Sequence, residues 1–203
     1  MRTLIVVPII HTERDMGSLL AQIKHEYVTR FGTEKWTEHL ETIEEVWDDI
    51  ARMINALDLP FQNLRLYQDG LPVCGKEEAI VREVAASGSR NHVLLATLID
   101  RGAQIVGTES PKLLLQEYEA VKRRLANPGA TPEFRAGADP ESRQLLIERD
   151  VFIASRINET LKVGEIGVLF LGLAHAVEQF LAPDLLVQHL LPTLGGQPAS
   201  SPR

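Results

Sequence analysis

Eight residues near the start, Thr3-Leu4-Ile5-Val6-Val7-Pro8-Ile9-Ile10, form an almost unbroken apolar, β-branched run. A strand with one wet face alternates polar and apolar residues. A strand covered on both faces does not, and such strands belong to parallel sheets with helices on either side. Three further segments read as strands: Asn63 to Tyr67, Ala103 to Gly107, and Glu165 to Leu173. A short one near Leu185 to Leu190 follows a last helix. Helical patterns separate them, so the expected fold is α/β, a mostly parallel central sheet of four to five strands flanked by helices and joined by right-handed crossovers. Residues 1–194 form one expected domain and 195–203 an expected disordered tail.

The helices announce themselves by period. Met16, Leu19, Ile23, Tyr27 and Phe31 share one face, Gly32 stops that helix, and Thr33 is positioned to cap the next. From Trp36 through Leu40, Ile43, Trp47, Ile50 and Ile54 to Leu57 the spacings alternate four and three, opposite an acidic face. This periodicity fits a helix packed on the sheet. It also fits a helix–helix seam, within the chain or across a homodimer through the 36–57 helix. Two helices follow, about Lys76 to Ala86 and Arg90 to Arg101, and Ser110-Pro111 supplies a cap and a first-turn proline for another. Asn127 to Ala138, with two prolines and two glycines, is the expected long loop or lid before an Asp139-Pro140 helix start.

Composition removes several classes. A net charge of −7 argues against a phosphate-binding face, so no nucleic acid partner is expected. No run approaches the ~20 apolar residues of a membrane helix, so no membrane partner is expected. The opening apolar run lacks a small-residue cleavage site, which makes the cytoplasm the expected compartment. Cys74, the sole cysteine, reads as a small buried thiol.

The polar residues gather where the strands end. Strand one runs into His11-Thr12-Glu13, strand two into Gln68-Asp69-Gly70, strand three into Gly107-Thr108-Glu109, and strand four into Gly172-Leu173-Ala174-His175. In open parallel sheets, ligands bind outside the carboxyl ends of the strands. Two histidines and two or three carboxylates therefore converge from distant places. Such a set binds a divalent metal, or acts without one as general base and orienting acid. Each acid also has a structural reading: Asp69 as a turn former, and Glu109 as a charge suited to a helix start. Arg149 and Asp150 fall in the apolar stripe of their helix and need partners. Arg149 fits either a salt bridge or an oxyanion-stabilising role. Tyr67, Asp69 and Asp150 are candidates for positioning a substrate, with Lys112 a lesser one. His92 reads as core, and His25, His39 and His189 as surface.

Glu148-Arg149-Asp150-Val151-Phe152-Ile153-Ala154 followed by Gly167-Val168-Leu169-Phe170-Leu171-Gly172-Leu173-Ala174-His175 resembles the TraB/Tiki superfamily, with its erythromycin-esterase-like and haem-binding ChaN-like relatives. The shared pattern is an "ERD" helix, then a strand ending in Gly-x-x-His. Another Gly-x-x-His lies near the N-terminus, and acidic residues follow the intermediate strands. Here Pro8-Ile9-Ile10-His11 carries proline for the first glycine, and Asp69 stands where a glutamate is looked for. The resemblance implies paired histidines at His11 and His175, with Glu109 or Asp69 as acidic partner. It spans metal-dependent peptidases, lactone hydrolases and haem binders, so it implies a site rather than one reaction.

The resulting expectation is a hydrolase acting on a small molecule or peptide. Water is activated at a His11/His175 centre, with Glu109 and Asp69 as ligands or acid/base partners and Arg149 stabilising developing negative charge. The expected cofactor is a divalent ion (Mn, Zn, Fe or Co). The alternative is a non-catalytic binding or sensor protein for haem or a small anionic metabolite in the same crevice.

Overall fold

The computed structural model describes residues 1–10, 20–125 and 139–192. The expected loop over 127–138 and tail over 195–203, and the residues His11 to Leu19, fall outside them. Five strands form one sheet: β1 (Arg2–Ile9), β2 (Leu64–Gln68), β3 (Gln104–Val106), β4 (Ile166–Gly172) and β5 (Leu185–His189). The helices are α1 (Leu20–Phe31), α2 (Thr33–Ala56), α3 (Glu77–Ala86), α4 (Arg90–Asp100), α5 (Pro111–Leu125) and α6 (Pro140–Thr160). Strand order is β3-β2-β4-β1-β5, and every pairing is parallel. No helix among the described residues is long and apolar enough to cross a membrane.

The run at the start does what its composition dictates. Ile5, Val7 and Ile9 face one layer, where Ile43, Trp47, Ile50 and Ile54 of α2 pack with Val81 of α3 and Leu94, Leu95 and Leu98 of α4. Leu4 and Val6 face the other, against Ile153, Ala154 and Ile157 of α6. Thus the lower part of the periodic stripe of α2 is covered within the chain. α2 starts from Gly32, whose φ of 87° suits glycine, and no side chain caps it, so Thr33 is a first-turn residue rather than the cap. Between β4 and β5 stands only a short 3-10 turn, Val177–Phe180, in place of the expected helix. The caps at Ser89 and Asp139 accept from His92 N and Ser142 N.

Two contacts fix the helices lengthwise. Arg2 donates to the Asn158 and Leu161 carbonyls at the C-terminal end of α6 (2.8 and 3.1 Å) and to Asp184 before β5. A cation there meets carbonyls that the helix leaves unpaired. Trp47 Nε1 donates to the Ile10 carbonyl at 3.0 Å, setting α2 against the end of β1. Trp47→Ala is expected to cost about 3–5 kcal/mol of stability, through lost burial and a cavity. Trp47→Phe, which orphans only the carbonyl, should cost about 1–3 kcal/mol. Urea unfolding of the two variants separates packing from the hydrogen bond.

Candidate functional site

At the end of β2 the chain turns sharply. Asp69 N still pairs with the Phe170 carbonyl at 2.9 Å, Gly70 takes φ 80°, and Leu71 N closes the turn on Gln68 O at 3.1 Å. The next residues run beside the end of β3. Thr108 N and Glu109 N both donate to Leu71 O, and Val73 N donates to Glu109 O. The approach requires Gly107, because a Cβ there would lie 2.8 Å from Val73 Cα and 2.9 Å from Pro72 O. Thr108 Oγ1 donates back to Gln68 O. These backbone constraints bring Asp69 and Glu109 together under cover, and both are buried.

α6 lays two charges over them. Arg149 Nε reaches Glu109 Oε1 and Oε2 at 3.2 and 3.3 Å, and Nη2 reaches Glu109 Oε1 at 2.6 Å and Asp69 Oδ1 at 2.9 Å. Nη1 lies 2.6 Å from Glu117 of α5. Beyond β4, His175 N donates to Gly172 O at 3.1 Å, which folds the imidazole back over the strand end. Its Nδ1 is 2.5 Å from Asp150 Oδ1, and Ala176 N donates to Asp150 Oδ2 at 2.9 Å. The far nitrogen, Nε2, lies 3.4 Å from Asp69 Oδ2, which also accepts from Gly172 N at 3.0 Å. One donor atom each of Asp69, Glu109 and His175 falls within 4.8 Å of the others.

The electrostatics follow from burial and pairing. Desolvation pulls the His175 pKa down, but hydrogen bonds to Asp150 and Asp69 and the Asp69 charge overcome it, raising the value from 6.5 to about 9. Burial pushes the Glu109 carboxyl above its ordinary range, against the pull of Arg149. Desolvation opposes the Arg149 charge, yet Glu109, Asp69 and Glu117 together raise its pKa. Four carboxylates (Asp69, Glu109, Glu117, Asp150) face two cationic groups, Arg149 and protonated His175.

The structure thus joins five of the sequence candidates, Asp69, Glu109, Arg149 and His175, with Asp150 behind the histidine. His11 lies outside the described residues; Ile9, two positions earlier, pairs with Gly172. Tyr67 belongs elsewhere. It is fully buried against α6, with its hydroxyl 2.9 Å from Thr160 Oγ1, and burial lifts its pKa to about 12, so it is a core residue and not a substrate contact. Asp150 spends both oxygens on His175 and Ala176, which makes it an orienting group rather than a substrate contact. Every nitrogen of Arg149 meets a carboxylate, so its charge is committed to the buried acids rather than to an incoming oxyanion.

Among the lesser candidates, Cys74 is exposed rather than buried. Lys112 is exposed at the start of α5. His92 is half-buried with Nδ1 2.8 Å from Ser89 Oγ, and His39 is half-buried and stacked on Tyr27 at 5.5 Å rather than free on the surface. Glu117 escaped the sequence reading because nothing in its spacing separates it from Glu119 one position beyond its neighbour. No family model, curated protein or solved structure matches this chain.

Arg149→Met is expected to cost about 3–5 kcal/mol, since it leaves buried carboxylates facing one another without a counter-charge. Chemical denaturation at neutral pH measures it. His175 gives a pH signature of definite sign. Its folded pKa (about 9) exceeds the ordinary value (6.5), so its contribution is fully present below pH 6.5 and is lost as pH rises through 9. The loss is on the order of 3 kcal/mol. Denaturation of chelator-treated protein on both sides of that window should show this decline, and His175→Asn should remove it.

Proposed function

We propose that this chain is a hydrolase whose centre is Asp69, Glu109 and His175 holding a divalent cation, with His11 as a further ligand. The observation that supports the reading best is the buried surplus of carboxylates around a histidine whose outer nitrogen is already oriented. The donor set fits a hard or borderline ion such as Mn, Zn, Fe or Co. Ligands about 2.1 Å from such an ion stand about 3.0–3.4 Å apart, and Asp69 Oδ2 and His175 Nε2 are 3.4 Å apart. Asp150, hydrogen-bonded to Nδ1, is the outer carboxylate that metal-bound histidines commonly have behind them. The resemblance to the TraB/Tiki superfamily points the same way, since the two segments that carry it are those joined by the Asp150–His175 hydrogen bond.

Bound there, the ion would bring water to a pKa near neutrality and polarise a carbonyl. The chain's own groups have separate tasks. Asp150 keeps the Nδ1 proton in place, so Nε2 is the nitrogen presented to the centre. Nε2 must lose its proton to become a ligand, which makes loading weaker in acid. Arg149 holds Asp69 and Glu109 in position and offsets part of their charge. The remaining negative charge disfavours a small anionic metabolite as occupant, and favours an uncharged or cationic substrate over a phosphate ester.

Elemental analysis of tag-free protein, before and after incubation with each ion, tests this reading. Wild type should carry near-stoichiometric metal, and His11→Ala, His175→Ala and Asp69→Asn should lose it. Asp150→Asn should weaken loading by about 10–100-fold without abolishing it. On an ester and peptide panel, His175→Ala should lower turnover by about 10²–10⁴-fold. Wild-type protein that takes up none of the four ions would overturn the metal centre.

A further inference from the structure

We infer that α1 and the N-terminal part of α2 form a projecting arm by which two copies of this chain associate. The hydrogen bond from Trp47 to Ile10 sets Trp47 level with the end of β1. Arg90 at the start of α4 pairs with Glu44 and Asp48, marking the same level from the other side. α2 extends from Trp47 back to Thr33, and that stretch rises about 21 Å along its axis. Ile43 and Val46 still reach the core, but of the ten residues before Ile43 only Trp36 is buried. α1 lies along this stretch and buries none of its twelve residues.

A pair of helices has too little interior to cover two apolar stripes. The arm's interior is a cluster of rings: Tyr27 sits 4.9 Å from Phe31, 5.2 Å from Trp36 and 5.5 Å from His39. Around it Ile23, Val28 and Leu40 are only half-buried, and Phe31 is 56% exposed at the tip. Four helices supply the interior that two lack.

Charge decides what completes the set. Lys24, His25 and Arg30 lie exposed on α1, whereas Glu34, Glu38, Glu41 and Glu45 lie exposed on α2, where Lys35 pairs with Glu38 and leaves the face acidic on balance. A surface basic on one helix and acidic on the next complements itself under a two-fold axis, which sets α1 of each copy against α2 of the other. The acidic helix opposes a nucleic acid or an anionic membrane as occupant. This arm is separate from the stretch of α2 that packs on the sheet, and its use is independent of what the carboxylate–histidine centre does.

Sedimentation velocity of the full chain from low to high micromolar concentration tests the inference. Wild type should sediment as a dimer. Phe31→Glu, at an exposed position, should weaken association by about tenfold or more. Lys24→Glu with Arg30→Glu should do the same, as should Glu34→Lys with Glu41→Lys, while a mixture of the two charge-reversed proteins should regain the dimer. A wild type that stays monomeric throughout overturns the inference. So does a dimer indifferent to all three variants, because association then uses another face.

Discussion

The arrangement at the sheet's edge depends on a single guanidinium. Arg149 draws together carboxylates from three separate segments: Asp69 after β2, Glu109 after β3 and Glu117 on α5. Each ion taken out of water costs several kcal/mol, so such a cluster survives only when geometry is good and the remaining lone pairs are satisfied. Backbone amides help to meet that condition: Gly172 N serves Asp69, and Ala176 N serves Asp150 on the neighbouring position of α6. The balance still leaves more negative than positive charge. That residue of charge is the physical root of the functional reading, because a fully neutralised cluster would need nothing more.

How much of this was legible in the sequence depended on whether a local signal existed. β1 and β4 were visible as apolar runs because both their faces are buried, and α2 was visible because its stripe is long. Convergence of Asp69, Glu109 and His175 followed from the rule that parallel strands end at one edge. What each polar group does there was not legible. The sequence leaves Arg149 open to an anion-binding role, whereas in the fold each of its three nitrogens meets a carboxylate. Tyr67 ends a strand in the sequence, but its side chain points along α6 to Thr160, and only the alternation of strand faces decides that. The close approach that excludes a side chain at Gly107 is a contact between segments 34 positions apart (Val73 and Gly107), and no local pattern carries it.

α2 illustrates how one periodic stripe can serve two environments. From Ile43 onward it meets a sheet, a broad surface that buries Ile43, Trp47, Ile50 and Ile54. Its first third packs, among the described residues, along α1, and the same spacing leaves Leu40 half-covered. The pattern reports that a face is apolar, and the length of the strands decides where the cover stops.

α6 is held at two places. Midway along it Arg149 and Asp150 are fixed by the charge cluster. At its close the Asn158 and Leu161 carbonyls meet Arg2, and Thr160 meets Tyr67. The stretch between is therefore a ruler whose length cannot change by one. A residue inserted between the two anchors would turn one by about 100° against the other, and the helix would have to surrender either its charges or its anchor. A change of length keeps both anchors only when it falls on either side of that span.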